Sequence, residues 1–373
     1  MTMRITVDQA TFLRELSLLQ GIIERKATLP ILSNILLRGE DGGRLLITAT
    51  DLEIGFRSSV PATVEAPGLV TVHARRLHDI IRRLPPGNVG FRLDGGSLHI
   101  TCERIHYRLA TQDPEHFPAL REKEGQPTAQ IDAVPLAEMI KKVLFAITAD
   151  DPRYYIGGAL WEFVEGQLTI VGTDGNRMAL SRRSVQQTES GDHRLVVPRK
   201  AVAELLKLAS DHEGDVFIWH EGASLFARMG ERELSTSLQE QKFPDYNKVL
   251  PTANDKVVIV STAAIKSAIE RVAVLSQEHS HLVRLDLRAN QLEVSSSHQQ
   301  LGEAQEQLEV EYTGEDFSIG FNAQYLLDFL AVCGSEQIEI SLGQPMGQSL
   351  FRPVRDEEDR REDLYVVMPM ALS

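Results

Sequence analysis

VHARRLHDII at 72–81, VPRKAVAELL at 197–206 and FNAQYLLDFL at 321–330 are three versions of one pattern, and their first residues lie 125 and 124 positions apart. Each begins as a short β-like run. Each then places an aliphatic residue sixth, an acid eighth (Asp79, Glu204, Asp328) and apolar residues ninth and tenth. Apolar residues at i, i+3 and i+4 make the stripe of a helix with one buried face.

Two further sets keep the same spacing. LLITAT (45–50), LTIVGT (168–173) and LEVSSS (292–297) alternate as half-buried strands do and end on a hydroxyl, and their leading residues, Leu45, Leu168 and Leu292, are 123 and 124 apart. Helical patterns at 12–19, 136–146 and 263–274 each follow a strand-like stretch. Three features recurring at one third of the chain length identify a tandem triplication. Polar, turn-forming stretches, REKEGQPTAQ (121–130) and LPTANDKVV (250–258), place the copies at 1–125, 126–252 and 253–373. Each copy reads as strand, helix, three or four strands, helix, three or four strands. Hairpin turns are signalled at Asp41, Gly42 and Gly43, at Asp94, Gly95 and Gly96, and at Glu165 and Gly166. Strands come in runs, so the class is α+β, with two helices packed on antiparallel sheets in every copy.

At 373 residues the chain has room for several cores, and with 42% hydrophobic and 25% charged residues it has the balance of a folded globular protein. It contains no apolar run of membrane-spanning length, and its N-terminus lacks a signal-peptide pattern, so the expected location is the cytoplasm, without a membrane partner. Two cysteines, Cys102 and Cys333, in no CxxC pair, exclude a disulfide framework and point to inert buried thiols. The net charge of −14 argues at first against a nucleic-acid partner. Its distribution argues the other way. The six helical segments sum to +6 and the remainder of the chain to −20, with Arg75, Arg76, Arg82 and Arg83 gathered on one helix. Helices sharing one face would present a cationic surface able to hold a phosphate backbone without reading bases. A solvated helix face is the plainer account of the same arginines.

The order of five segments on this triplicated frame resembles the bacterial β sliding clamps, the processivity subunits of DNA polymerase III, over the whole chain. They are TLPILSNILL (28–37), TDGNRMAL (173–180), FPDYNKVLP (243–251), GFNAQYLLDFL (320–330) and YVVMPMALS (365–373). The resemblance implies a non-catalytic, head-to-tail homodimer: two chains of three clamp domains close a six-domain ring around duplex DNA, helices inside and sheet outside. Enclosure would then retain DNA independently of sequence. The implied partners are the replicative polymerase, the clamp loader and other proteins carrying short clamp-binding peptides, in the nucleoid-associated cytoplasm of a bacterium, and no cofactor is implied.

By position, the family's peptide cleft between the second and third domains carries over to Ile156, Thr173, Gly175, Arg177, Met178, Pro244, Lys248 and Val249 on one side. Asn322, Tyr325, Met346, Val366, Val367, Met368, Pro369 and Met370 supply the rest. Aliphatic and methionine side chains suit a deformable pocket for varied hydrophobic anchors. Lys248 stands where arginine is common in the family, Ser280 where a larger apolar residue is usual and Ala371 where a basic one is, which implies a more open rim. DNA contacts carry over to Lys26, Arg75, Tyr154, Tyr155, Arg199 and Lys200. The ring joint carries over to Tyr107 and Leu109 meeting Val274 and Leu275 of the other chain.

Catalytic signatures are missing from the sequence: it has no P-loop, no GxGxxG after a strand, no nucleophile elbow and no HExxH. Asp150 and Asp151 form an acid pair, which would suit a metal-dependent nuclease but reads more simply as a turn or cap. His279 and His281 have an i, i+2 spacing without a third ligand, so no metal site is assigned. Thr173, Asp174 and Gly175 read as a turn capped by side-chain oxygens. A scaffold that binds only proteins is the remaining alternative.

Overall fold

The computed structural model describes residues 3–23, 29–147, 157–188, 191–277, 280–356 and 359–372. Six α-helices form there, two per copy: α1 (Gln9–Leu18), α2 (Ala74–Arg83), α3 (Ala133–Leu144), α4 (Arg199–Ser210), α5 (Thr262–Val272) and α6 (Ala323–Leu330). The opening helices start earlier than their apolar stripes suggest because a side-chain oxygen begins them. Asp8 accepts from the Thr11 amide, Asp132 from Val134, and Ser261 from Ala264. The stripes do the burying: Ala74, Leu77 and Ile81 on α2, and Ala323, Leu326, Phe329 and Leu330 on α6, are buried. Phe12 of α1 meets Phe91 edge-on at 5.4 Å, and each such ring contributes about 1.5–3 kcal/mol of burial.

Strand number differs from expectation in the first two copies, where five strands separate the helices instead of three or four. The additional short strands, Thr63–Ala66 and Gln186–Gln187, pair with the opening strands Arg4–Asp8 and Ala129–Asp132. They cover edges that would otherwise be open to pairing with another chain. The three signalled hairpin turns all form, Glu165 and Gly166 with positive φ of 50° and 73°. Cys102 and Cys333 are buried free thiols.

The chain packs as two compact units. One comprises Met1–Ala137, Gln186–Ser190 and Lys200–Gln239, the other Glu138–Val185, Gly191–Arg199 and Glu240–Ser373. The second copy contributes to both, because sheets run from one copy into the next. In the first unit, strand Arg232–Ser237 of copy two pairs antiparallel with Ile54–Pro61 of copy one, Thr236 opposite Ile54. In the second unit, Glu362–Val367 of copy three pairs with Arg177–Ser184 of copy two, Val367 opposite Arg177. The second unit also holds a four-stranded sheet ordered Gly302–Glu309, Gln291–His298, Leu282–Arg288, Phe317–Asn322. Among the described residues, no helix is long and apolar enough to cross a membrane.

Candidate functional site

An apolar pocket of about 280 Å³ opens in the second unit, where the last strand of copy three lies against copy two. Its walls come from the 173–178 hairpin turn, the 243–249 segment and the closing strand. Of the residues expected there, it brings together Thr173, Gly175, Arg177, Met178, Pro244, Val249, Val366 and Met368. Beneath them Leu160, Val171, Leu180 and Val196 form a buried cluster with Met178, Phe243, Tyr246 and Val366.

Local chemistry shapes each wall. The Thr173 hydroxyl donates to the Arg177 carbonyl at 2.7 Å and accepts the Gly175 amide, while Asp174 Oδ1 accepts the amides of Asn176 and Arg177. This is the capped turn read from the sequence. Gly175 sits at φ 86°, a conformation that costs glycine little. Its counterpart in copy one is Leu52, at φ 80° and exposed. In the other wall, Asp245 caps a 3₁₀ turn, Tyr246–Lys248, whose three-residue period turns Tyr246 and Val249 inward together. Lys248 therefore points away, its side chain 82% exposed and 3.6 Å from Asp245. The Tyr246 hydroxyl donates to Glu162 at 2.7 Å, and burial, reinforced by that carboxylate, pushes its pKa up. The tail is held by the Met368 amide donating to the Asn176 carbonyl at 2.9 Å.

Arg177 is the polar centre of the site. Its Nε donates to Asp174 at 2.9 Å, Nη1 to Asp328 at 2.6 Å and Nη2 to the Phe145 carbonyl at 2.9 Å. The guanidinium lies over the Tyr325 ring at 4.3 Å and near Phe145 at 5.4 Å. Burial alone would lower its pKa, but Tyr365, Asp328 and Asp174 more than offset this and hold it above the ordinary arginine value.

Asn176, Phe243 and Tyr246 also line the pocket and were not picked out from the sequence, and Asp174, read there only as a turn residue, lines it too. The i, i+3 spacing of Phe243 and Tyr246 within FPDYNKVLP was the available signal. Lys248, Asn322, Tyr325, Met346, Val367, Pro369 and Met370 are not part of the lining. Val367 alternates to the opposite, buried face from Val366. Asn322 caps α6 by accepting the Gln324 and Tyr325 amides. The Met370 amide donates to the Gly320 carbonyl, and Met346 is exposed on the loop before the Ser349–Pro353 strand. Ile156 lies outside the described residues.

Of the expected DNA contacts, Arg75 is half-buried near the start of α2, next to the exposed Arg76. Lys200, on α4, is ion-paired with the buried Asp51 and also donates to the Ile22 carbonyl at 3.3 Å. Arg199, the first residue of α4, is half-buried. Lys26, Tyr154 and Tyr155 lie outside the described residues, as do Asp150, Asp151 and His279. His281 occupies a turn at φ 48°, and among the described residues no three His, Cys, Asp or Glu side chains are placed to hold a metal.

At the expected joint, Tyr107 and Leu109 lie on Ile105–Gln112. This strand pairs with Ser97–Cys102 along its length and with Gly68–His73 only at Thr111 and Gln112. Val274, 77% exposed, and Leu275 lie on a turn packed against Gln291–His298 and Gly302–Glu309.

Three family models tile the chain: the N-terminal domain of the DNA polymerase III beta subunit matches residues 3–121, its central domain 130–245 and its C-terminal domain 247–371. The beta sliding clamp of Pseudomonas putida is 36% identical over 372 residues, 99% of this chain and 100% of its own. That of Caulobacter vibrioides is 32% identical over 375 residues, with 99% of this chain and all of its own length covered. The crystal structure of the DNA polymerase III subunit beta from Pseudomonas aeruginosa superposes with a TM-score of 0.92 at 35% identity, covering 99% of this chain and 100% of that one. With matches spanning all three copies, the chain belongs to the DNA polymerase III beta-subunit family, the beta sliding clamps.

Proposed function

We propose that the chain acts as a DNA sliding clamp in the bacterial cytoplasm. Two copies join head to tail into a ring of six domains, each chain divided at 1–125, 126–252 and 253–373. The ring encloses duplex DNA without reading its sequence and supplies processivity in place of catalysis. The observation that carries this reading is an unfinished sheet. Gly302–Glu309 is the third copy of Ile54–Pro61 and Arg177–Ser184, each of which continues into the last strand of the following copy. Among the described residues, Gly302–Glu309 is the edge of its sheet, while Ile105–Gln112, the first copy of Arg232–Ser237 and Glu362–Val367, leaves residues 105–110 open on one side. Each chain thus ends in two halves of a third junction.

The repeat also supplies the register. Gly302 corresponds to Ile54 and Arg177, and Leu109 to Thr236 and Val367, so Gly302 faces the partner's Leu109. Glu303 then faces the partner's Arg108, and Ala304 the partner's Tyr107. A small residue meets a large one and an acid meets a base. Tyr107 and Leu109 come to the helix side of the sheet, where Val274 and Leu275 await them. Such a heterologous joint closes once rather than polymerising if three copies span half a turn.

Within this reading the apolar pocket docks short hydrophobic segments of the replicative polymerase, the clamp loader and other partners, with Asn322, Tyr325, Met346, Pro369 and Met370 extending the groove. Arg75, Arg199 and the neighbouring basic helix residues attract the phosphate backbone weakly. Lys200, tied to Asp51, contributes to the local field rather than a free contact. Plasmid retention tests the proposal: protein loaded on a circular plasmid should stay through gel filtration at high salt and leave when the plasmid is linearised. Equal loss from both forms would refute enclosure.

A further inference from the structure

The acid at the eighth place of the repeated helix motif has three different fates. Asp79 of α2 is half-buried near Arg82 and Arg83 of its own helix, and Glu204 of α4 pairs with Lys207 on its own helix. Asp328, the one charged residue of α6, instead meets an arginine contributed by the preceding copy, Arg177. The residues corresponding to Arg177 elsewhere, Ile54 and Gly302, carry no charge. The pair therefore exists only at the junction that has the apolar pocket.

We propose that Asp328 is a positioning residue for peptide docking: its carboxylate holds the Arg177 guanidinium against the Tyr325 ring and out of the apolar space that a docked hydrophobic side chain fills. The proposal rests on reading that pocket as a docking site. Both carboxylate oxygens are committed, Oδ1 accepting from Gln324 Nε2 at 2.7 Å and Oδ2 from Arg177 Nη1 at 2.6 Å. Helix α6 is itself fixed from the closing strand, since the Tyr365 hydroxyl donates to the Tyr325 carbonyl at 2.9 Å and the Tyr365 ring stacks on Phe329 at 5.0 Å. Asp328 is thus a rigid anchor. Without its charge, a guanidinium whose side chain is only 10% exposed keeps one carboxylate, one carbonyl and the neighbouring Tyr365 side chain, with one negative charge beside it instead of two. A buried cation short of partners is costly, and it regains them by swinging toward water through the pocket mouth it lines. A peptide must then bury apolar surface beside an under-neutralised charge.

The probe is a fluorescein-labelled hexapeptide ending in Leu-Phe, read by fluorescence anisotropy on the full-length protein. Asp328→Asn should weaken its binding about tenfold. In an Arg177→Gln background, adding Asp328→Asn should change affinity less than twofold, because no cation is left to position. Binding of Asp328→Asn within twofold of the parent overturns the proposal, as does a full tenfold penalty in the Arg177→Gln background, which would place the effect in the helix. If Asp328→Asn fails to fold, a folded double variant that binds like Arg177→Gln supports the proposal, and an unfolded one overturns it. Met368→Asp separates the two readings. Parent protein that ignores the probe, or Met368→Asp that binds it unimpaired, refutes the docking reading and this proposal with it. Loss with Met368→Asp but not with Asp328→Asn refutes this proposal alone.

Discussion

Ser58 and Ser181 stand 123 residues apart at the same place in two copies of one strand, and each hydroxyl donates to a buried carboxylate 2.6 Å away. The ionic partners around those carboxylates have opposite origins. At the first junction the acid, Glu15, lies on a helix of the same copy, and the next copy brings Arg232, which contacts both Glu15 oxygens. At the second, the next copy brings the acid, Asp363, with its own Arg355 beside it, to Lys142 and Arg183. Each junction therefore carries a buried ionic lock with its own polarity. A strand bearing Arg232 would face cations at the second junction, and one bearing Asp363 would face Glu15 at the first, so the locks oppose mispairing of the copies.

Removing one partner from such a lock leaves the others buried without compensation. Asp363→Asn strands Lys142 and Arg183, whose side chains are 13% and 5% exposed. It should cost about 3–5 kcal/mol of stability, measured by urea unfolding. A loss below about 1 kcal/mol would mean that the junction readily rehydrates.

The same carboxylate sets an acid limit. Burial pushes the Asp363 pKa up, but hydrogen bonds and charge from Arg183 and Lys142 outweigh it and hold it well below the usual carboxylate value. The unfolded chain gains a proton there as pH falls past about 4, while the folded chain does not. The contribution is therefore fully present above that pH and declines as pH drops toward the folded-state pKa. Unfolding free energies between pH 5 and 3 should fall less steeply for Asp363→Asn than for the parent; parallel slopes would assign the acid sensitivity elsewhere.

Helices, copies and turns were legible because each is written locally, as a stripe, a spacing or a glycine pair. The locks and the Arg177 centre were not. Arg177 and Asp328 are 151 positions apart, and nothing near either one marks the other. Family position carries Lys200 over as a DNA contact but does not show its ion pair with Asp51, which lies in a strand-end turn far upstream. Lys248 read as a cleft residue because family position does not show which way a 3₁₀ turn aims a side chain; the period that brings Tyr246 and Val249 inward sends it out. Family position names the closing stretch from Val366 to Met370 whole; strand alternation, which the resemblance does not use, divides it, turning Val366 into the pocket and Val367 away from it.

The pocket itself gives a sharp test of docking without damage to the fold. Met368 lines the pocket and is 39% exposed, so an aspartate there keeps its water in the free protein. A bound apolar side chain would strip that water away, at about 2 kcal/mol or more. Met368→Asp should lower hexapeptide affinity at least about thirtyfold while changing unfolding free energy by less than about 1 kcal/mol. Equal losses in both measurements would make Met368 a fold residue instead.

The joint register makes a prediction that neither strand makes alone. If Glu303 faces the partner's Arg108, then Arg108→Glu puts two acids opposite each other at both joints of the ring, and Glu303→Arg puts two bases there. Like charges directly across an antiparallel pair are destabilising, and opposite charges contribute roughly 0.2–1 kcal/mol. Because the proposed two-chain ring has two such joints, each single change acts twice there. Either single variant should therefore dissociate at higher protein concentration than the parent in sedimentation velocity, moving toward the 41.6 kDa single chain. The double variant, with the charges exchanged, should return to the parent's dissociation range. A double variant no tighter than the worse single one would mean that the two strands meet in another register, even if the ring still closes.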